Sequence, residues 1–170
     1  MKIFDNQVFF LGHNDVFSNM YPVDIYVDGM HLKSAEHLYV LCKAISAHDN
    51  KNSIKILNED NPYEVKKMGY GILGLDPQFW DFIKEQIMVC TMMAKFQQPH
   101  LKDVLLASGD RELVEGSPNK VWGCGIHVRE ITSPVPNYPG DNLCGKCLMD
   151  VRQLLRQGVT IDPDTILELI

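Results

Sequence analysis

The stretch Val23-Asp-Ile-Tyr-Val-Asp-Gly-Met-His31 sets Ile25, Val27 and Met30 in alternation around Asp28-Gly29, then runs into Ser34-Ala-Glu-His-Leu-Tyr-Val-Leu-Cys-Lys43. Period-two alternation across Asp-Gly predicts a β-hairpin over 23–31, because a two-residue hairpin turn needs the left-handed backbone that Asp and Gly tolerate. Ser34 is a good N-cap, and the apolar residues after it predict a helix to about Ala47. A short hairpin thus feeds directly into an apolar helix.

Outward from there the pattern stays helical. Asn61-Pro62 pairs a cap with proline at the first helical position, and the helix it opens closes near Gly69. Asp76-Pro77 repeats the signal before a long periodic run from Phe79 to Phe96, in which Met88, Met92 and Met93 take core positions. A short helix is expected over Pro99–Ala107. Three prolines and Tyr138 between Ser133 and Gly140 mark an ordered surface loop. Asp141-Asn142 then open a helix to about Gln157, and Asp162-Pro163 a short terminal one. Upstream of the hairpin, residues 7–11 read as a strand. The expected class is mainly α (α+β), a compact helical domain spanning 1–170 with a small N-terminal β element. With no Gly-rich phosphate loop, no doubly wound sheet is expected.

Composition narrows the function. At 170 residues, 45% hydrophobic and 22% charged, the chain can bury a core and has no signature of disorder. A net charge of -6 disfavours a protein that coats nucleic acid, which needs many lysine and arginine contacts to phosphate, but leaves room for one nucleotide pocket. The N-terminus has no apolar signal region, and no stretch approaches the ~18 apolar residues of a membrane span. Five scattered cysteines, an odd number, suit reduced thiols. A soluble, cytoplasmic protein without membrane contact is the expectation.

Glu36 and Lys43 are seven residues apart, close to two helical turns, so both project from one face of the helix, ~10 Å apart along its axis. Opposite charges so placed can grip the two ends of a small substrate. On spacing alone the plainer account is stronger: Glu36 compensates the helix dipole from an exposed first turn, and Lys43 is a solvated surface residue. His37 reads as a satisfied, partly buried histidine, since the six histidines show no ligand spacing and no metal site is expected. Cys144-Gly-Lys-Cys147 has the form of a redox pair or half a zinc site, yet no second ligand pair accompanies it, and both cysteines fall at packing positions. Trp80 sits in a helix apolar stripe. Trp122, in Val121-Trp-Gly-Cys-Gly125, has glycines beside it that let a ligand or backbone come close, and its ring suits stacking on a nucleobase.

Taken in order, these pieces resemble the NADAR family, also called YbiA-like proteins. The matching stretches are Phe17-Ser-Asn-Met-Tyr-Pro22; Ser34-Ala-Glu-His37 with Lys43-Ala44; Lys66 and Gly69; Trp80 with Met88; and Lys95-Phe96. They continue with Leu105-Leu-Ala-Ser-Gly-Asp110 and Leu113-Val-Glu115; Trp122-Gly-Cys-Gly125; and Gly140-Asp-Asn-Leu-Cys-Gly145 with Leu148-Met149 and Arg152. The sequence departs from the family pattern at three places. Asn119 stands where an acidic residue is common, and Tyr70 and Lys84 stand where arginine is usual.

The resemblance implies an N-glycosidase without cofactor, and it reverses the plain reading of Glu36 and Lys43, which match the family's active-site signature. Family substrates join an exocyclic amine to C1 of ribose. One class is ADP-ribosylated guanine, the product of toxin ADP-ribosyltransferases, and another the phosphoribosylamino intermediates of riboflavin synthesis. The implied catalytic set is Glu36 as acid or base, Lys43 as amine nucleophile, and Asp141 as a second carboxylate for direct hydrolysis. The implied substrate-binding set is Asn19 and Asn142 on sugar hydroxyls, Lys66 and Lys146 on phosphate, Trp122 with Gly123 at the base, and Trp80 and Tyr138. The expected partner is an ADP-ribose-bearing nucleotide or ADP-ribosylated guanine in nucleic acid, with a cognate ADP-ribosyltransferase toxin acting on the same substrate. A non-turnover nucleotide-binding module and an antitoxin acting by contact stay open as rival classes.

Overall fold

A computed structural model describes all residues, 1–170. The chain divides into two compact units interleaved in sequence: residues 1–21 with 96–160, and residues 22–95 with 161–170. The mainly helical α+β class holds.

In the second of these units the hairpin pairs β3 (Pro22–Val27) with β4 (Met30–Ser34), Val27 opposite Met30. Asp28 and Gly29 both adopt positive φ, 47° and 72°, the turn whose twist matches the strands. Ser34 ends β4 and caps α1 (Ala35–Ser46), its side chain accepting from the His37 amide. Helices α2 (Asn50–Asn58) and α3 (Pro62–Tyr70) pack on α1, and α4 (Pro77–Phe96) tilts its Trp80 ring against Tyr39 of α1 at 5.4 Å. The terminal 3-10 turn, Pro163–Leu169, returns to the hairpin, where Asp164 accepts from the Asp28 amide.

Helix α2 is absent from the sequence expectation. Asp49 caps it, accepting from the amide and the side chain of Asn52, and also from the amide of Leu73 in the α3–α4 linker. Those donors, Leu73 first, hold its carboxyl below the usual carboxylate range. Only Ile56 of α2 is buried, so apolar periodicity could not announce it.

The other unit carries a three-stranded sheet ordered β1 (Lys2–Ile3), β2 (Gln7–Phe10), β5 (Glu112–Glu115), with β2 and β5 parallel. The β5 strand was also unexpected. Its partner lies a hundred residues away, and Glu112-Leu-Val-Glu115 sets only two apolar residues between carboxylates, with neither an apolar run nor an alternation to announce a strand. Helix α5 (Pro99–Ala107) forms as expected, and α6 (Leu143–Arg156) packs on β5. The proline-rich loop is ordered by a polar clasp. Gln7 pairs with Val135 in both directions, and Glu112 accepts from Gln7 and from the Tyr138 hydroxyl. No helix in the chain is long and apolar enough to cross a membrane.

Candidate active site

Burial makes α1 unusual. Every residue from Ala35 to Cys42 is buried, Glu36 among them at 8% exposure. This corrects the expectation of an exposed first-turn carboxylate: α2, α3 and both hairpin strands close around α1, so the helix is covered on most faces. His37 is 1% exposed, and both ring nitrogens are used. Its Nε2 contacts the Glu59 carbonyl at 3.2 Å and therefore carries the proton, while Nδ1 accepts from the Ser34 hydroxyl at 2.7 Å. Burial lowers its pKa, so the ring is neutral and structural.

Lys43 lies two turns beyond Glu36 on the same face. Its Nζ donates to the Gly69 carbonyl at 2.7 Å, and it makes no salt bridge. Gly69 is next to last in α3, where carbonyls have no partner within the helix, so the amine caps an otherwise open acceptor. Half-burial pushes the amine below the ordinary lysine range. An amine with a depressed pKa and no carboxylate to neutralise is the form in which lysine serves as a nucleophile. Lys66 is half-buried on α3, and Trp80 is buried against Tyr39, a packing position.

The other predicted residues belong to the first-described sequence unit, 1–21 with 96–160. Asn19 is buried within the loop before β3; Asp141 and Lys146 are exposed; Trp122 is half-buried. Three of these residues are engaged within the fold. Asn142 has no exposed surface, and its amide is committed: Nδ2 donates to the Leu113 carbonyl and Tyr138 hydroxyl, and Oδ1 accepts from the Glu115 amide. That place suits a bolt between α6 and β5 rather than a hand on a sugar. Tyr138 packs on the cluster of Phe9, Val114, Cys124 and Ile131, with its hydroxyl on Glu112; burial first, then Glu112, pushes the phenol up to about 12. At Gly123 it is Ser117 that comes close, since a Cβ there would lie 2.7 Å from the Ser117 Cβ and 2.8 Å from its carbonyl oxygen.

The departures from the family pattern also find their places. Asn119 Oδ1 accepts from the amides of Val121 and Trp122, both at 2.9 Å, a job an aspartate would do equally well. Lys84 is engaged with Asp81, and Tyr70 is 75% exposed at the end of α3, so neither offers a guanidinium fork. Cys144 and Cys147 are buried on α6, and none of the five cysteines forms a disulfide. From sequence Gly69 marks the close of a helix and matches a family position; its carbonyl on the lysine is a tertiary contact no local signal announces.

Comparison with known proteins gives this geometry its context. The NADAR domain model matches residues 9–156. An N-glycosidase of Acanthamoeba polyphaga mimivirus is 32% identical over 163 residues, covering 88% of this chain and 96% of that one. An N-glycosidase of Nostoc punctiforme is 32% identical over 147 residues, covering 85% and 88%. N-glycosidase YbiA of Escherichia coli is 31% identical over 141 residues, covering 82% and 80%. The NMR structure of E. coli YbiA superposes with a TM-score of 0.72 at 29% identity, covering 92% of this chain and 89% of that one. With a domain model matched along most of its length and relatives above 30% identity across most of both chains, the protein belongs to the NADAR family, among relatives that are N-glycosidases.

Proposed function

We propose that this N-glycosidase removes ADP-ribose from the exocyclic amine of guanine, with Lys43 as nucleophile and Glu36 as proton donor. The observation that carries the reading is the Lys43 amine itself: half-buried, lowered in pKa, held by a backbone carbonyl and without a carboxylate partner. A glycosylamine opens to an imine at C1. The unprotonated Lys43 amine adds there, the C1–N bond to guanine breaks, and a carboxyl at Glu36 supplies the proton that the departing amine takes. Lys43 is then joined to ribose C1 as a Schiff base. Water adds to that carbon, the C1–N bond to Lys43 breaks, and ADP-ribose leaves with the amine restored.

The choice between family substrates follows from the missing arginines. A small phosphoribosyl substrate depends on one terminal phosphate, best gripped by a bidentate guanidinium. Tyr70 cannot provide one, and Lys84 is occupied with Asp81. ADP-ribose spreads recognition over a diphosphate, a second ribose and an adenine, so the same loss costs it less. With a net charge of -6, contact with the nucleic acid around the modified base contributes little, and turnover should have a shallow salt dependence. The test is kcat/KM on an oligonucleotide carrying ADP-ribosylguanine against kcat/KM on a phosphoribosylaminopyrimidine. We expect the oligonucleotide to be the better substrate; a higher value for the pyrimidine reverses the ranking.

A further inference from the structure

We propose that Gly69 is the positioning residue for Lys43, and that it works through the absence of its side chain. Val40 and Lys43 are one turn apart on the same face of α1, and both meet the end of α3 at Gly69. The Gly69 carbonyl receives the lysine amine at 2.7 Å, while the Gly69 Cα side rests on Val40. A Cβ at position 69 would stand 3.2 Å from Val40 Cγ1, tighter than ordinary contact, and 3.4 Å from Cγ2, so an added side chain displaces α3 by a few tenths of an ångström unless Val40 gives way. The carbonyl would move with it, because it belongs to the same residue. Glycine here is not required by backbone conformation, since φ at Gly69 is not positive. What it provides is the close approach that brings an open helix-terminal acceptor to the amine.

The consequence for the amine is directional. A neutral lysine amine has two hydrogens and one lone pair. Giving one hydrogen to the Gly69 carbonyl restricts rotation about Cε–Nζ and confines the lone pair to directions away from α3. Val40 sets the height of that carbonyl above α1. The three residues thus form one device: spacer, acceptor and amine. This inference rests on Lys43 being the reactive amine, so its test includes a readout independent of glycosidic substrate.

That readout is reductive alkylation of the whole protein with glycolaldehyde and cyanoborohydride, mapped by peptide mass spectrometry. The amine adds to the aldehyde carbon, water leaves, and hydride from cyanoborohydride reduces the imine to a stable secondary amine. In the unmodified chain Lys43 should label faster than the exposed lysines Lys67 and Lys146. Gly69→Ala should bring its rate down to theirs. It should also lower kcat about 10-fold with KM little changed, since small misplacements of a reacting group are costly in rate. Adding Val40→Ala to Gly69→Ala removes the atoms the new methyl meets, and should restore most of both signals. Val40→Ile, which raises the spacer with Gly69 intact, should produce a milder loss of the same kind, and it decides the matter if Gly69→Ala does not fold. Unchanged labelling in the folded single variants, or no recovery in the double variant, overturns the positioning role. Loss of Lys43 labelling in Gly69→Ala and its recovery in the double variant, with no glycosidic turnover in any protein, would keep this inference and reject the proposed reaction.

Discussion

Glu36→Gln should lose about 10²- to 10⁴-fold in turnover while the protein stays folded. The substitution keeps the shape of the side chain but removes its charge and its capacity to carry and release a proton. Glu36 is buried in the first turn of α1, so the cost to stability exceeds the ~0.3–1 kcal/mol of exposed dipole compensation only to the extent that hydrogen bonds to the carboxylate are weakened. A reduction in kcat much larger than any change in KM is the expected signature of a group used in the transition state. Activity close to that of the unsubstituted enzyme would remove Glu36 from the chemistry and leave it a buried helix-terminal carboxylate.

Gly145→Ala should be the most damaging small substitution in the half of the chain that carries α6. Two effects compete there. Alanine improves helix propensity over glycine by about 1 kcal/mol. Against that, a Cβ at 145 would meet the Asn142 side-chain amide at 2.5 Å and, closer still, the Leu113 backbone carbonyl oxygen of β5, a contact no side-chain rotation relieves. Helix α6 must therefore lift from β5, losing the Asn142 bonds to Leu113 and Glu115 that only close packing permits. Each buried group left unmatched costs ~1–3 kcal/mol, so the steric side wins by several kcal/mol. At ~2–4 °C per kcal/mol for a chain of this length, the melting temperature should fall by about 10 °C. A melting temperature unchanged or raised would mean that α6 and β5 are less tightly joined than described.

These two sites show where sequence reading succeeds and where it stops. The hairpin turn at Asp28-Gly29, the Ser34 cap and the Pro62, Pro77 and Pro99 helix starts were all legible, because each is decided by backbone and side-chain chemistry within a few residues. Helix α2 was not, since its Asn-Lys-Asn-Ser composition leaves one buried side chain and no stripe. Nor was β5, whose existence depends on pairing with β2 across the chain. The site divides the same way. Glu36 and Lys43 were visible as a pair on one face, and the family resemblance raised them above a surface pair. The burial of Glu36 and the carbonyl that holds Lys43 come from α2, α3 and the hairpin closing on α1. Asn142 is the instructive reversal. It was legible as a helix start, and it is one, but its left-handed backbone turns the amide onto β5, so a residue expected to face substrate serves the fold.

The central claim is that Lys43 attacks ribose C1, and the direct measurement is reductive trapping during turnover. Borohydride added to enzyme and ADP-ribosylguanine oligonucleotide should reduce the transient Schiff base and leave an ADP-ribose-derived adduct on the peptide containing Lys43, with none formed when either substrate or the Lys43 amine is removed. No adduct on that peptide, together with substantial turnover by Lys43→Ala, would contradict the account and assign the reaction to direct attack by water.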